Sequence, residues 1–149
     1  MASARRRERS HGGVVTAPVP RLLFAYAGDS GVVSGLIHYV HKIVSPATYP
    51  CHMCALTDGP LGRRPAWERA LAALEVESDF VHRDELIARH GPSQPPLPAI
   101  FVVRDRRLEP FVAKPEIEAC EDLDALIALL QVRTRALASS DMQRRLRSE

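Results

Sequence analysis

The residues with the clearest chemical potential are two thiols three positions apart, Cys51-His52-Met53-Cys54. Sulfurs at i and i+3 can close a disulfide or take one soft metal ion between them. Redox use requires a thiol with a lowered pKa, normally from a helix N-terminus or a nearby cation. His52, between the two sulfurs, is the local group suited to that role. A single CxxC supplies only half of a closed zinc site, so a metal reading needs more ligands. His41 is the best placed, ten residues before Cys51. It lies about 60° from His38 on a helix turning about 100° per residue, at the border of the apolar stripe. Cys51, Cys54 and His41, with water or one more ligand, would form an open zinc site. The remaining alternative is a structural or inert pair. Cys120 is a third thiol, a resolving cysteine or simply a small residue before the last helix.

A second candidate is the turn Gly28-Asp29-Ser30-Gly31. It follows the apolar run Leu22-Leu23-Phe24-Ala25-Tyr26-Ala27, which reads as a buried strand. Ligands of open α/β sheets bind beyond the carboxyl ends of parallel strands. The N–H groups opening the next helix could hold an anion there. Asp29 or Ser30 would also serve as an ordinary helix cap, and the Lys-Ser/Thr of a phosphate-binding Walker loop is missing.

Positioning these residues requires a framework. A helix over 32–44 presents Val33, Leu36, Ile37, Val40 and Val44 on one face, and Ser45-Pro46 stops it. Residues 45–64 read as an irregular connection holding the CxxC, because Pro46, Pro50, Gly59, Pro60 and Gly62 punctuate it. Pro65 suits the first turn of a helix with Trp67, Ala70, Leu71 and Leu74 inward. A weaker strand is expected over 79–82, then a short helix capped by Asp84 and ended at Gly91-Pro92. Pro98 precedes the strongest strand, 99–103, and a polar turn leads to a returning strand over 108–113. Pro110 consigns that strand to a sheet edge, since it cannot donate to a ladder. The last helix starts near Glu121, with Leu123, Leu126, Ile127 and Leu130 as its stripe.

Length and composition bound the rest. The 149 residues suffice for one domain with a real core, and 46% hydrophobic content is ordinary for a globular chain. A net charge of +2 is too small to point to nucleic acid. No apolar run approaches the roughly 20 residues of a membrane span, and no apolar stretch follows the basic N-terminus as in a secretory signal. A cytoplasmic chain is therefore expected. There three cysteines would not form a disulfide scaffold. The expected organisation is a disordered basic tail over 1–20, one domain over 21–137, and a frayed polar tail over 138–149.

The element order, β-α-loop-α-β-α-β-β-α over roughly 21–132, resembles the thioredoxin fold. That resemblance implies a single-domain α/β sandwich. Its four-stranded mixed sheet would run in order 2-1-3-4, with helices on both faces and the hairpin antiparallel to the first strand. Pro98 matches the place where that fold carries a cis-proline beside its active site. The resemblance also implies thiol–disulfide chemistry with a protein thiol or disulfide as partner, but with one departure. In thioredoxin-like oxidoreductases the CxxC directly follows the first strand, where this chain has Gly28-Asp29-Ser30-Gly31. Here the dithiol comes about twenty residues later. The block from Lys42-Ile43-Val44-Ser45-Pro46 through Tyr49-Pro50-Cys51-His52-Met53-Cys54 also resembles small bacterial proteins with no assigned activity. A redox or redox-sensing dithiol is thus the leading expectation. Zinc binding and a non-catalytic interaction module, with the connection as recognition surface, stand beside it.

Overall fold

The computed structural model describes residues 19–29 and 51–149. The helix expected over 32–44, with His38 and His41, and Ser30 lie outside the described residues. The described chain runs through β1 (Arg21–Ala25), α1 (His52–Thr57), β2 (Asp58–Gly59), β3 (Gly62–Arg63), α2 (Pro65–Ala73) and β4 (Glu77–Val81). It continues with α3 (Arg83–His90), β5 (Ala99–Arg104), β6 (Arg107–Val112), α4 (Lys114–Glu118) and α5 (Leu123–Arg147).

Four strands form one mixed sheet in the order β4-β1-β5-β6. β1 runs parallel to β4, with Phe24 opposite Phe80, and antiparallel to β5, with Phe24 opposite Ile100. β5 and β6 form an antiparallel hairpin at the edge where Pro110 was expected. The anticipated order 2-1-3-4 counted four strands in the chain. The described residues hold six, because β2 and β3 pair as a separate two-stranded ribbon inside the segment read as irregular.

Side chains alternate across a strand, so one sheet buries two different sets. Leu22, Phe24, Tyr26, Ile100 and Val102 face one side. There they meet Met53 of α1, Trp67 and Leu71 of α2, Ile117 of α4, and Leu126 and Leu130 of α5. Leu23, Ala25, Val81, Ala99 and Phe101 face the other side and meet Leu86 of α3. Helices therefore cover both faces.

Three boundaries differ from expectation for identifiable reasons. β4 begins at Glu77, earlier than 79, because the Glu77 N–H donates to the carbonyl of Pro20 (2.9 Å) and extends the parallel ladder. α3 is capped by His82, not Asp84. The His82 N–H donates to the Glu85 carboxylate (3.2 Å), and their side chains share a further hydrogen bond at 2.9 Å. α5 continues through the polar segment that was expected to fray, reaching Arg147. Arg104 of β5 donates to Asp141 (2.7 Å) and to Glu109 (3.1 Å), tying the far part of α5 to the sheet. That tether joins residues 37 apart. Among the described residues, no helix is long and apolar enough to cross a membrane.

Candidate functional site

The dithiol opens a helix. Cys51 is the N-cap of α1, with extended backbone (φ −115°, ψ 90°). Its carbonyl accepts from Ala55 N–H at 3.0 Å, starting the helical pattern. Its sulfur accepts from Cys54 N–H at 3.3 Å, occupying one of the donors that a helix start leaves without an internal partner. The prolines and glycines that suggested an irregular connection flank positions 52–57 without interrupting them. One short helix fits between Pro50 and Gly59. Thr57, fully buried, returns its hydroxyl to the Met53 carbonyl (2.9 Å) near the helix end.

Cys51 and Cys54 lie at disulfide distance, with Cα atoms 5.3 Å apart. The two sit in different surroundings. Cys51 is 1% exposed and belongs to the core cluster with Met53 and Trp67, whereas Cys54 is only partly buried at its margin. Closing a ring this short removes little chain entropy, roughly 2 kcal/mol by loop closure, less than a long-range bridge would. The pair is therefore a weak staple, and its placement across one helical turn serves chemistry better than stability.

His52 was expected to assist the thiols. Instead its Nε2 lies 2.6 Å from the Cys120 carbonyl. A carbonyl only accepts, so Nε2 carries the proton and the ring ties α1 to the segment between α4 and α5. Cys120 itself is buried, and its Sγ donates to the Glu116 carbonyl at 3.4 Å. Burial pushes the Cys120 thiol up, reinforced by Asp122 and Glu116, which disfavours the thiolate that exchange requires. Cys120 is thus held beside α1 as a packing residue. Glu116 is fixed in turn by the Ala113 N–H (2.9 Å) and by a short ion pair with Arg133.

The ribbon after α1 lies against the carboxyl ends of the parallel strands. Arg64 N–H donates to the Thr57 carbonyl (2.8 Å), folding β2 and β3 back against the end of α1. Gly62 turns the ribbon at φ +100°, a conformation that suits glycine. Arg63 lies over the Phe80 ring, its guanidinium carbon 3.6 Å from the centroid. Phe80 stacks on Tyr26 (6.0 Å between centroids), and Tyr26 tilts against His82 at 5.5 Å. The sequence singled out none of these as site residues. Their signal was position: Tyr26 and His82 each directly follow a parallel strand.

Burial raises the Tyr26 phenol to about 12, with the Asp58 carboxylate adding to the effect and Arg63 and Thr57 opposing it. The folded chain thus keeps a proton that the unfolded chain releases near pH 10. This contribution to stability is complete below about pH 10 and is lost as pH climbs toward about 12. The expected loss between about pH 9 and about pH 11 is about 1 kcal/mol. Urea unfolding of wild type and Tyr26→Phe at both pH values checks it. The variant should lose that much less, and equal slopes would contradict the assignment.

Of the other sequence candidates, Asp29 accepts two hydrogen bonds from Arg83 (2.9 and 2.7 Å), a pairing not anticipated from sequence. The Arg83 N–H also donates to the Gly28 carbonyl (2.9 Å), so this turn is pinned to the start of α3. Pro98 is buried directly before β5, and the Leu97–Pro98 peptide is cis. His41 and Ser30 lie outside the described residues, so neither can be placed relative to the sulfurs. Among the described residues, no group of three or more His, Cys, Asp or Glu side chains could hold a metal ion. Comparison with protein-family models, curated proteins and solved structures finds no match for the chain.

Proposed function

We propose that this chain is a thioredoxin-like thiol–disulfide protein in which Cys51 and Cys54 alternate between dithiol and disulfide. The observation that carries the reading is the placement of two sulfurs at disulfide distance across the first turn of α1, one buried and one at the margin. Three features support it. The pair closes a ring too short to act mainly as a staple. The Cys51 sulfur already accepts a backbone N–H, a bond that strengthens when sulfur becomes thiolate. The ribbon following α1 reaches the carboxyl ends of a parallel strand pair, where α/β folds place their chemistry. The partner on this reading is a protein or small-molecule thiol or disulfide. The zinc reading requires His41, which lies outside the described residues.

Alkylation mapped by mass spectrometry tests the proposal. Native protein treated with a mild oxidant should show neither Cys51 nor Cys54 alkylated. Alkylated in denaturant after dithiothreitol, both should label together, while Cys120 labels in denaturant with or without the oxidant. Cys51 and Cys54 labelling independently, or remaining free after oxidant, would overturn it.

A further inference from the structure

The two sulfurs of the pair are not equivalent, and their difference assigns them roles. Thiol–disulfide exchange proceeds by attack of a thiolate on one sulfur while the other leaves, and the outcome depends on which sulfur is reachable. The attacker approaches along the extension of the S–S bond, from the side opposite the leaving sulfur. To strike Cys51 it would have to come through the core that leaves this residue 1% exposed. To strike Cys54 it comes from the margin of the cluster, where that residue is only partly buried. The electronics point the same way. Cys51 Sγ accepts the Cys54 N–H at 3.3 Å, so negative charge arriving on Cys51 meets a donor already in place.

Resting on the redox reading above, we infer that Cys54 is the sulfur that exchanges with partners and Cys51 is the buried leaving and resolving sulfur. The entering residue is therefore the second cysteine of the CxxC. In reduction, a partner thiolate attacks Cys54 Sγ. The partner–Cys54 bond forms, the Cys51–Cys54 bond breaks, and its electron pair leaves on Cys51 as thiolate. A second partner thiolate then attacks the partner sulfur of this mixed disulfide. The partner leaves as its own disulfide, and Cys54 departs as thiolate. Two electrons have passed from the partner dithiol to the protein. In the reverse direction the Cys54 thiolate attacks a partner disulfide, expelling one partner thiolate, and Cys51 then attacks Cys54 to expel the other. Cys120 takes no part, since its buried thiol donates to a carbonyl.

The test uses glutathione as the probe. Oxidised wild-type protein is mixed with reduced glutathione, quenched in acid, alkylated and mapped by mass spectrometry. Cys51→Ala and Cys54→Ala are treated in parallel with glutathione disulfide, their folding checked by circular dichroism. The adduct is expected on Cys54 in wild type. It should form on Cys54 of Cys51→Ala at least about tenfold faster than on Cys51 of Cys54→Ala. Adducts mainly on Cys51, or at equal rates on both, would overturn the assignment while leaving the dithiol–disulfide couple standing. Wild-type protein whose pair never opens under excess thiol would refute the couple itself. The wild-type trap decides the matter even where a variant fails to fold.

Discussion

A Cys51→Ser/Cys54→Ser double variant should stay folded yet lose exchange with glutathione disulfide, its rate falling by about a hundredfold or more. The surviving thiol, Cys120, is buried, donates to the Glu116 carbonyl and has its ionisation opposed by burial and by Asp122 and Glu116. It cannot take over the reaction. The fold should tolerate the change because serine is a favoured N-cap residue, and its hydroxyl at position 51 can accept the Cys54-position N–H as the sulfur does. Loss of the four-residue ring costs roughly 2 kcal/mol at most. Stopped-flow or quenched mass analysis of glutathione adducts, with circular dichroism as the folding control, checks both halves. A folded variant that still exchanges at the wild-type rate would place the chemistry elsewhere.

Trp67→Ala should produce the largest stability loss of any single substitution considered, about 3–5 kcal/mol. Trp67 is fully buried, and its ring meets Phe24 edge-on at 5.6 Å between centroids. Phe24 in turn stacks on Phe80 at 5.0 Å, so removing the indole opens a cavity beneath the β1–β4 pair. The indole Nε1 is buried without a hydrogen-bond partner among the described residues, which makes apolar replacement less costly than the ring's size suggests. Trp67→Phe should therefore recover most of the loss. Urea unfolding followed by circular dichroism gives the comparison. A loss under about 1 kcal/mol for Trp67→Ala would mean that α2 does not anchor the core.

Much of the framework was legible from local pattern. The continuous apolar runs 22–25 and 99–102 declare strands buried on both faces, and both core clusters follow from them. Pro65 and the spacing of Trp67 and Leu71 mark α2. What escaped depends on partners distant in sequence. The reach of α5 to Arg147 rests on Arg104 gripping Asp141. His52 beside two cysteines reads as a thiol's helper, yet the bond it makes is to a carbonyl 68 residues away. From sequence the CxxC reads as loop because prolines and glycines surround it, and six residues are too few for periodicity to speak. Placing Cys51 at the helix cap changes the chemistry: it separates a buried sulfur from an accessible one, which spacing alone cannot do.

Thiol–disulfide exchange at this site requires Cys51 and Cys54 to form one two-electron couple. Equilibrating the protein with glutathione buffers across a wide range of ratios, then counting thiols by acid-quenched alkylation, measures this directly. Cys51 and Cys54 should change state together along a single two-electron curve, with Cys120 reduced throughout. Two independent one-thiol curves, or a pair that keeps one state across the whole range, would contradict it.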